Sequence, residues 1–164
     1  METGNHIAGI VLVGIGASIV MDSWSLALKG FGIPPPNFAF VGRWAGHMLR
    51  GSFAHAAIGQ AAPVRGERVW GWLIHYAIGI AFAALLVGFQ GVEWLRTPSL
   101  WPALAVGVGT VVAPLCVMQP AMGAGFAGRK TTAPFKNGLR SLANHTVFGL
   151  GLYLSAAVLA IYRA

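Results

Sequence analysis

Two histidines stand inside long apolar stretches, and each is followed four residues later by glycine. His75 lies within VWGWLIHYAIGIAFAALLVGF (Val69 to Phe89) and is followed by Gly79; His145 lies within NHTVFGLGLYLSAAVLAIY and is followed by Gly149. Asp22 is the only acid inside an apolar stretch, Gln119 closes a third stretch, and Asn144 precedes His145. Imidazole in such surroundings has three chemistries open to it: divalent metal ligation, proton relay and axial haem ligation. One carboxylate with two imidazoles, Asp22 with His75 and His145, suits Zn, Fe, Ni or Co. The same trio could exchange protons with a solute. Opposed helices bearing His75 and His145 could instead hold haem b. A third reading has no chemistry: the polar residues form an assembly or accessory subunit's packing contacts.

The elements that must position these residues are spans. Hydrophobic residues make up 56% of the 164 and charged residues 9%, against about 25% charged in soluble domains. Val69 to Phe89 carries no formal charge, and at about 1.5 Å per residue it can cross a hydrocarbon core of about 30 Å. We expect an all-α integral membrane four-helix bundle in a single domain. Its spans are about 7–28, 69–89, 100–119 and 139–162. The first does not read as a convincing signal peptide: no Lys or Arg precedes it, it is too long for an h-region, and no small-x-small site follows. Gly14, Ser18, Asp22 and Ser25 recur at helical spacing there as one small, polar face, which should point inward. Pro114 should kink the third span and free a carbonyl.

Chain direction then sets the level of each polar residue. With four spans, both long connections lie on one side. Asp22, His75, Gln119, Asn144 and His145 all fall within about two turns of that side. An acid in hydrocarbon costs about 2.5–3.5 kcal/mol even on the lenient insertion scale, so Asp22 is expected to meet His75 and His145. Gly79 and Gly149 would leave room beside the imidazoles. The spans also look duplicated: VGIGASIVM in the first answers VGVGTVVAP in the third, and HxxxG is shared by the second and fourth.

The first long connection reads as an interfacial segment, 37–61. GIPPPN is a rigid break, Asn37 should cap a helix from Phe38 to Arg50 that Gly51 stops, and Ser52 should cap a second helix carrying His55. Arg43, His47 and Arg50 at i, i+4, i+7 make an interfacial basic face. Attraction to anionic lipid headgroups is its ordinary account, and an anion-binding lid the sharper one.

The net charge of +7 does not point to nucleic acid, because the basic residues flank spans rather than stripe a soluble face. Residues 121–138 are Gly-rich and then basic, but without a preceding strand or a GKS or GKT they are not read as a phosphate loop. Cys116 has no internal disulfide partner and reads as a small core residue. No GxSxG, no HExxH and no second carboxylate favours an enzyme. Four spans are few for a transport path, so a homodimer is expected.

The motifs MDSW, GIPPPNFAFVGRWAGH, RGSFAHAAIG, GWLIHYAIGIAFAALL, APLCVMQPAMGAG and RSLANHTVFGLGLYL together resemble a family of small bacterial inner-membrane proteins labelled only as a domain of unknown function. The resemblance runs from about Ile7 to Leu159. It implies a four-span bacterial inner-membrane protein and brings no substrate, cofactor or catalytic residue.

Lys29, Arg43, Arg50, Arg65, Arg68, Arg129, Lys130, Lys136 and Arg140 lie on the side of the long connections, against Arg96 and Arg163 on the other. That bias places the long connections in the cytoplasm and both termini in the periplasm. Reporter fusions at Ala133 and within Pro34 to Pro36 should therefore read cytoplasmic, and a fusion after Ala164 periplasmic. A cytoplasmic C-terminus would overturn the four-span topology.

Overall fold

The computed structural model describes residues 2–163, with side chains from Gly4 onward. Met1 and Ala164, the ends expected in the periplasm, lie outside them. All regular structure among the described residues is helical. The helices are α1 (Glu2–Gly30), α2 (Phe38–Met48), α3 (Glu67–Gln90), α4 (Leu100–Gly109), α5 (Gln119–Ala121) and α6 (Pro134–Arg163). Four segments are long and apolar enough to cross a membrane: Gly4–Gly30, Glu67–Gln90, Leu100–Ala121 and Pro134–Arg163. The fourth starts five residues earlier than the hydropathy suggested, because Pro134 can open a helix by filling a position whose N–H has no partner anyway.

The third segment is not a continuous α-helix. Regular bonding ends at Gly109, a turn covers residues 110–111, and Ala113–Met118 is π-helical before α5. The expected irregularity at Pro114 is there, but it reaches back a full turn. Proline has no N–H to return to the carbonyl of Thr110, and its ring crowds that carbonyl, so the ladder fails upstream of the proline itself.

The chain divides into two compact units. The first comprises Met1–Pro35, Tyr76–Thr110 and Asn144–Ala164. Its core is Val13, Ala17, Ala83, Leu86, Trp94, Leu95, Ala103, Phe148, Leu152 and Ala156. Helices cross here where side chains vanish. A Cβ on Gly14 would stand 2.5 Å from Ile80 Cα and 2.9 Å from the carbonyl oxygen of Gly79. One on Gly107 would overlap the backbone of Gly149. These are the same two pairings that the repeated motifs relate: VGIG with HxxxG in α1 and α3, VGVG with HxxxG in α4 and α6. Gly151 sits against Ala17 in the same manner, 2.9 Å from a built Cβ to its Cα. The glycines after the histidines are thus crossing points that admit a neighbouring backbone, which corrects the expectation that they leave room beside the imidazoles.

The second unit comprises Pro36–His75 and Val111–Ala143. Asn37 caps α2 through a hydrogen bond from Ala39 N–H to its Oδ1, 3.2 Å, and Gly51 ends the segment at φ 82°. The second short helix expected after Ser52 is not formed. Instead, His55 N–H donates to the Ala121 carbonyl at 2.8 Å and Ile58 N–H to Met122 at 3.0 Å, leaving only a 3-10 turn at Ile58–Gln60. Bonds to another segment compete with the helix ladder and win because Gly123, at φ 91°, lets the two backbones touch at Ala56.

Gly79→Ala and Gly107→Ala should each destabilise the protein by about 1–3 kcal/mol, the usual cost of overpacking. Gly88→Ala, whose new Cβ meets nothing within 4 Å, should be neutral. Thermal unfolding in detergent distinguishes them, and equal effects at all three positions would refute the crossing-point reading.

Candidate functional site

Asp22 is reached along α1 by the small face that the spacing indicated. Ser18 on that face is fully buried and donates to the Gly14 carbonyl at 3.0 Å, Ser25 is buried too, and the Asp22 carboxylate accepts a hydrogen bond from Tyr76 Oη at 3.0 Å. Tyr76 was not foreseen. Its only sequence signal is that it follows His75 in a span where hydroxyls are scarce.

His145, at the start of the apolar part of α6, meets Thr110, the residue that ends α4. Its Nδ1 lies 3.0 Å from Thr110 Oγ1, and that hydroxyl lies 2.7 Å from the Gly107 carbonyl. A carbonyl only accepts, so the one hydroxyl proton of Thr110 goes to Gly107. The proton shared with His145 must then sit on Nδ1. This assignment, made from the network, leaves Nε2 with its lone pair. Asn144 beside it is buried at 8% exposure, and its Oδ1 has no hydrogen-bond partner.

His75 is buried and held by aromatic rings within the second unit. It stacks on Phe38 with ring centroids 4.2 Å apart and meets Trp72 edge-on at 5.7 Å. Gln119 opens α5; its backbone carbonyl accepts from Ala124 N–H, while its side-chain Oε1 is buried without a partner. Among the described residues no three His, Cys, Asp or Glu side chains gather into a metal-binding group. Within the first unit the Asp22 carboxylate meets Tyr76, and His145 meets Thr110.

The basic face expected on α2 is corrected most. Arg43 does not look out at solvent; it is 9% exposed, and each of its three nitrogens bonds to the protein. Its Nε and Nη2 grip both oxygens of Glu67 at 2.8 and 2.7 Å, and Nη1 reaches the carbonyls of Ile58, Gly59 and Ala61 at 3.1, 3.3 and 3.1 Å. Glu67 also accepts from Val64 N–H at 2.9 Å. The hydrogen bonds to Glu67 raise the guanidinium's pKa above its ordinary value, against the opposing effect of burial, so Arg43 stays charged. His47 lies 2.9 Å by Nε2 from the Ala62 carbonyl, with its ring 4.8 Å from that of His55; only Arg50 is exposed. The three share a helix face, but a helix face is not a solvent face when an acid waits on the next helix. Glu67, two residues ahead of the uncharged run, was the missed signal.

A family model described as "Protein of unknown function (DUF2938)" matches residues 11–159. The chain belongs to that family. No curated protein and no solved structure matches it. The DUF2938 match covers both histidines, Asp22, Thr110 and the Arg43–Glu67 pair, yet its description assigns none of them a role, so the geometry of this chain has to supply one.

Within the DUF2938 chain, Arg43 is a clamp that ties α2, the 58–61 turn and the first turn of α3 together. Removing one member of a buried pair strands the other, which costs about 3–5 kcal/mol. Arg43→Gln should therefore lower thermal stability markedly, while Arg50→Gln should not. Equal melting temperatures for the two variants would restore the lipid-facing reading.

Proposed function

We propose that this DUF2938 protein is a bacterial inner-membrane protein that carries protons across or into the bilayer, alone or with a small solute, and that His145 is the group that takes the proton. The observation that carries this reading is the Thr110 bridge. A hydroxyl already committed to the Gly107 carbonyl holds His145 in the Nδ1–H tautomer, so Nε2 is left as a base. An imidazole orients no proton by itself; a fixed partner on one nitrogen defines which nitrogen exchanges. The surroundings support it. Next to His145 in the chain, Asn144 brings a buried amide oxygen without a hydrogen-bond partner. Irregular backbone at membrane depth is tolerated where it is packed in protein or lines a polar cavity. Asp22 and Tyr76 supply a second intramembrane pair able to hold a proton. Ionisable residues in spans commonly mark proton or ion paths.

The test is flux. Purified protein in liposomes containing a pH-sensitive dye should acidify or alkalinise the lumen under an imposed potassium diffusion potential. His145→Asn should abolish the flux while leaving the protein inserted and folded. Thr110→Val, which removes the partner of Nδ1, should slow it roughly tenfold or more, as loss of an orienting hydrogen bond does, and Thr110→Ser should retain it. Flux no faster than in protein-free liposomes, or an unimpaired His145→Asn, would overturn the proposal.

A further inference from the structure

The side of the short connections is depleted of cations, yet its only two, Arg96 and Arg163, line one cavity. The cavity belongs to the first unit and has a volume of about 590 Å³. Asn5 and His6 of α1 complete its polar wall, and Leu95 and Ala160 its apolar one. Among the described residues no carboxylate lines it.

Both arginines are exposed, and each has a neighbour that holds its head near the cavity. Arg163 is seated: its Nη2 donates to the Asn5 carbonyl at 3.2 Å, and its head lies over Gly9, where a Cβ would come within 3.1 Å of Nη1. A Cβ at position 9 would press on the guanidinium and make it shift by a few tenths of an ångström. Arg96 is anchored less firmly. Its partner Glu93 lies 3.6 Å away and both side chains are mostly exposed, an arrangement that holds a charge weakly. Five N–H donors per guanidinium, with one used on Asn5, leave donors of both arginines available to the cavity.

We propose that this cavity binds a phosphate group, the oxyanion whose geometry two arginine forks match and whose charge they offset. Its volume falls in the range of small-ligand sites, about 300–1,000 Å³, which is more than a lone carboxylate needs. His6 adds a donor on the rim. The group has two sources: the headgroup of an anionic phospholipid, since the cavity opens at the end of the spans, or a free phosphate-bearing solute. The proposal is independent of proton transfer by His145.

The experiment uses the full chain and separates the sources. In the lipid arm, the protein in phosphatidylcholine nanodiscs is titrated with phosphatidylglycerol and bound lipid is counted by native mass spectrometry. In the solute arm, inorganic phosphate is titrated calorimetrically into protein in phosphatidylcholine nanodiscs. The double variant Arg96→Gln/Arg163→Gln should weaken whichever binding occurs by roughly thirtyfold, from about fivefold per arginine. Arg96→Gln alone, which disturbs no backbone contact, should weaken it about fivefold and so keeps the test valid if the double variant folds poorly. Loss in the lipid arm supports the site with phospholipid as its occupant, and loss in the solute arm supports it with a free phosphate. Binding that neither arginine affects, or no binding in both arms, overturns it.

Discussion

Hydrocarbon offers no hydrogen bonds, so each polar group that the spans carry must be answered by the protein. That constraint accounts for most of what is polar here. Ser18 answers itself by bonding back to Gly14, Thr110 to Gly107, and the Asp22 carboxylate is met by the Tyr76 hydroxyl. Backbones can come close enough for this only where side chains are missing, and so the glycines concentrate at the crossings. Gly14 against Gly79 and Gly107 against Gly149 bring α1 to α3 and α4 to α6 at contact distance. The polar network and the glycine crossings are two results of one requirement, because dispersion and internal hydrogen bonding replace the hydrophobic effect as the force between spans.

The second unit meets the same requirement with charge. Arg43 would be among the most costly residues to leave unpaired near the bilayer. It is satisfied by five contacts, two to one carboxylate and three to carbonyls of a turn that has too few donors of its own. Long connections that carry no extended helix need such an organiser. Here a single guanidinium substitutes for a secondary-structure ladder, and Gly42 and Gly71 let α2 and α3 lie close enough for its reach.

The spans were legible because their signal is summed over some twenty residues. The α2 cap at Asn37 was legible because a side-chain oxygen ahead of an apolar run has one obvious use. The inward face of Gly14, Ser18, Asp22 and Ser25 followed from spacing alone. What was not legible depended on partners distant in the chain. Nothing near Arg43 says that Glu67 will take it, so it read as a lipid contact. Nothing near His55 says that residues 121 and 122 will claim its backbone, so it read as helical. The HxxxG motif was noticed but misassigned, since a glycine one turn from a histidine looks the same whether it makes room for a ligand or for a helix. Only the matching VGIG and VGVG runs, read as contact partners rather than as repeats, contained the distinction.

The break in the third segment shows how packing and chemistry become one question. Pro114 disrupts the ladder, and Thr110 lies at the place where it fails. A threonine in an intact helix usually bonds back to its own turn and has nothing further to offer. Here it also bonds back, to Gly107, and the remaining lone pair of the same oxygen meets the Nδ1–H of His145 at 3.0 Å. The hydroxyl therefore acts as a relay of polarity between a carbonyl and an imidazole. Had Thr110 been valine, His145 would have faced apolar surface on Nδ1 and been free to take either tautomer. The proposed proton transfer rests on this one bridge, because it is what distinguishes the two nitrogens of His145.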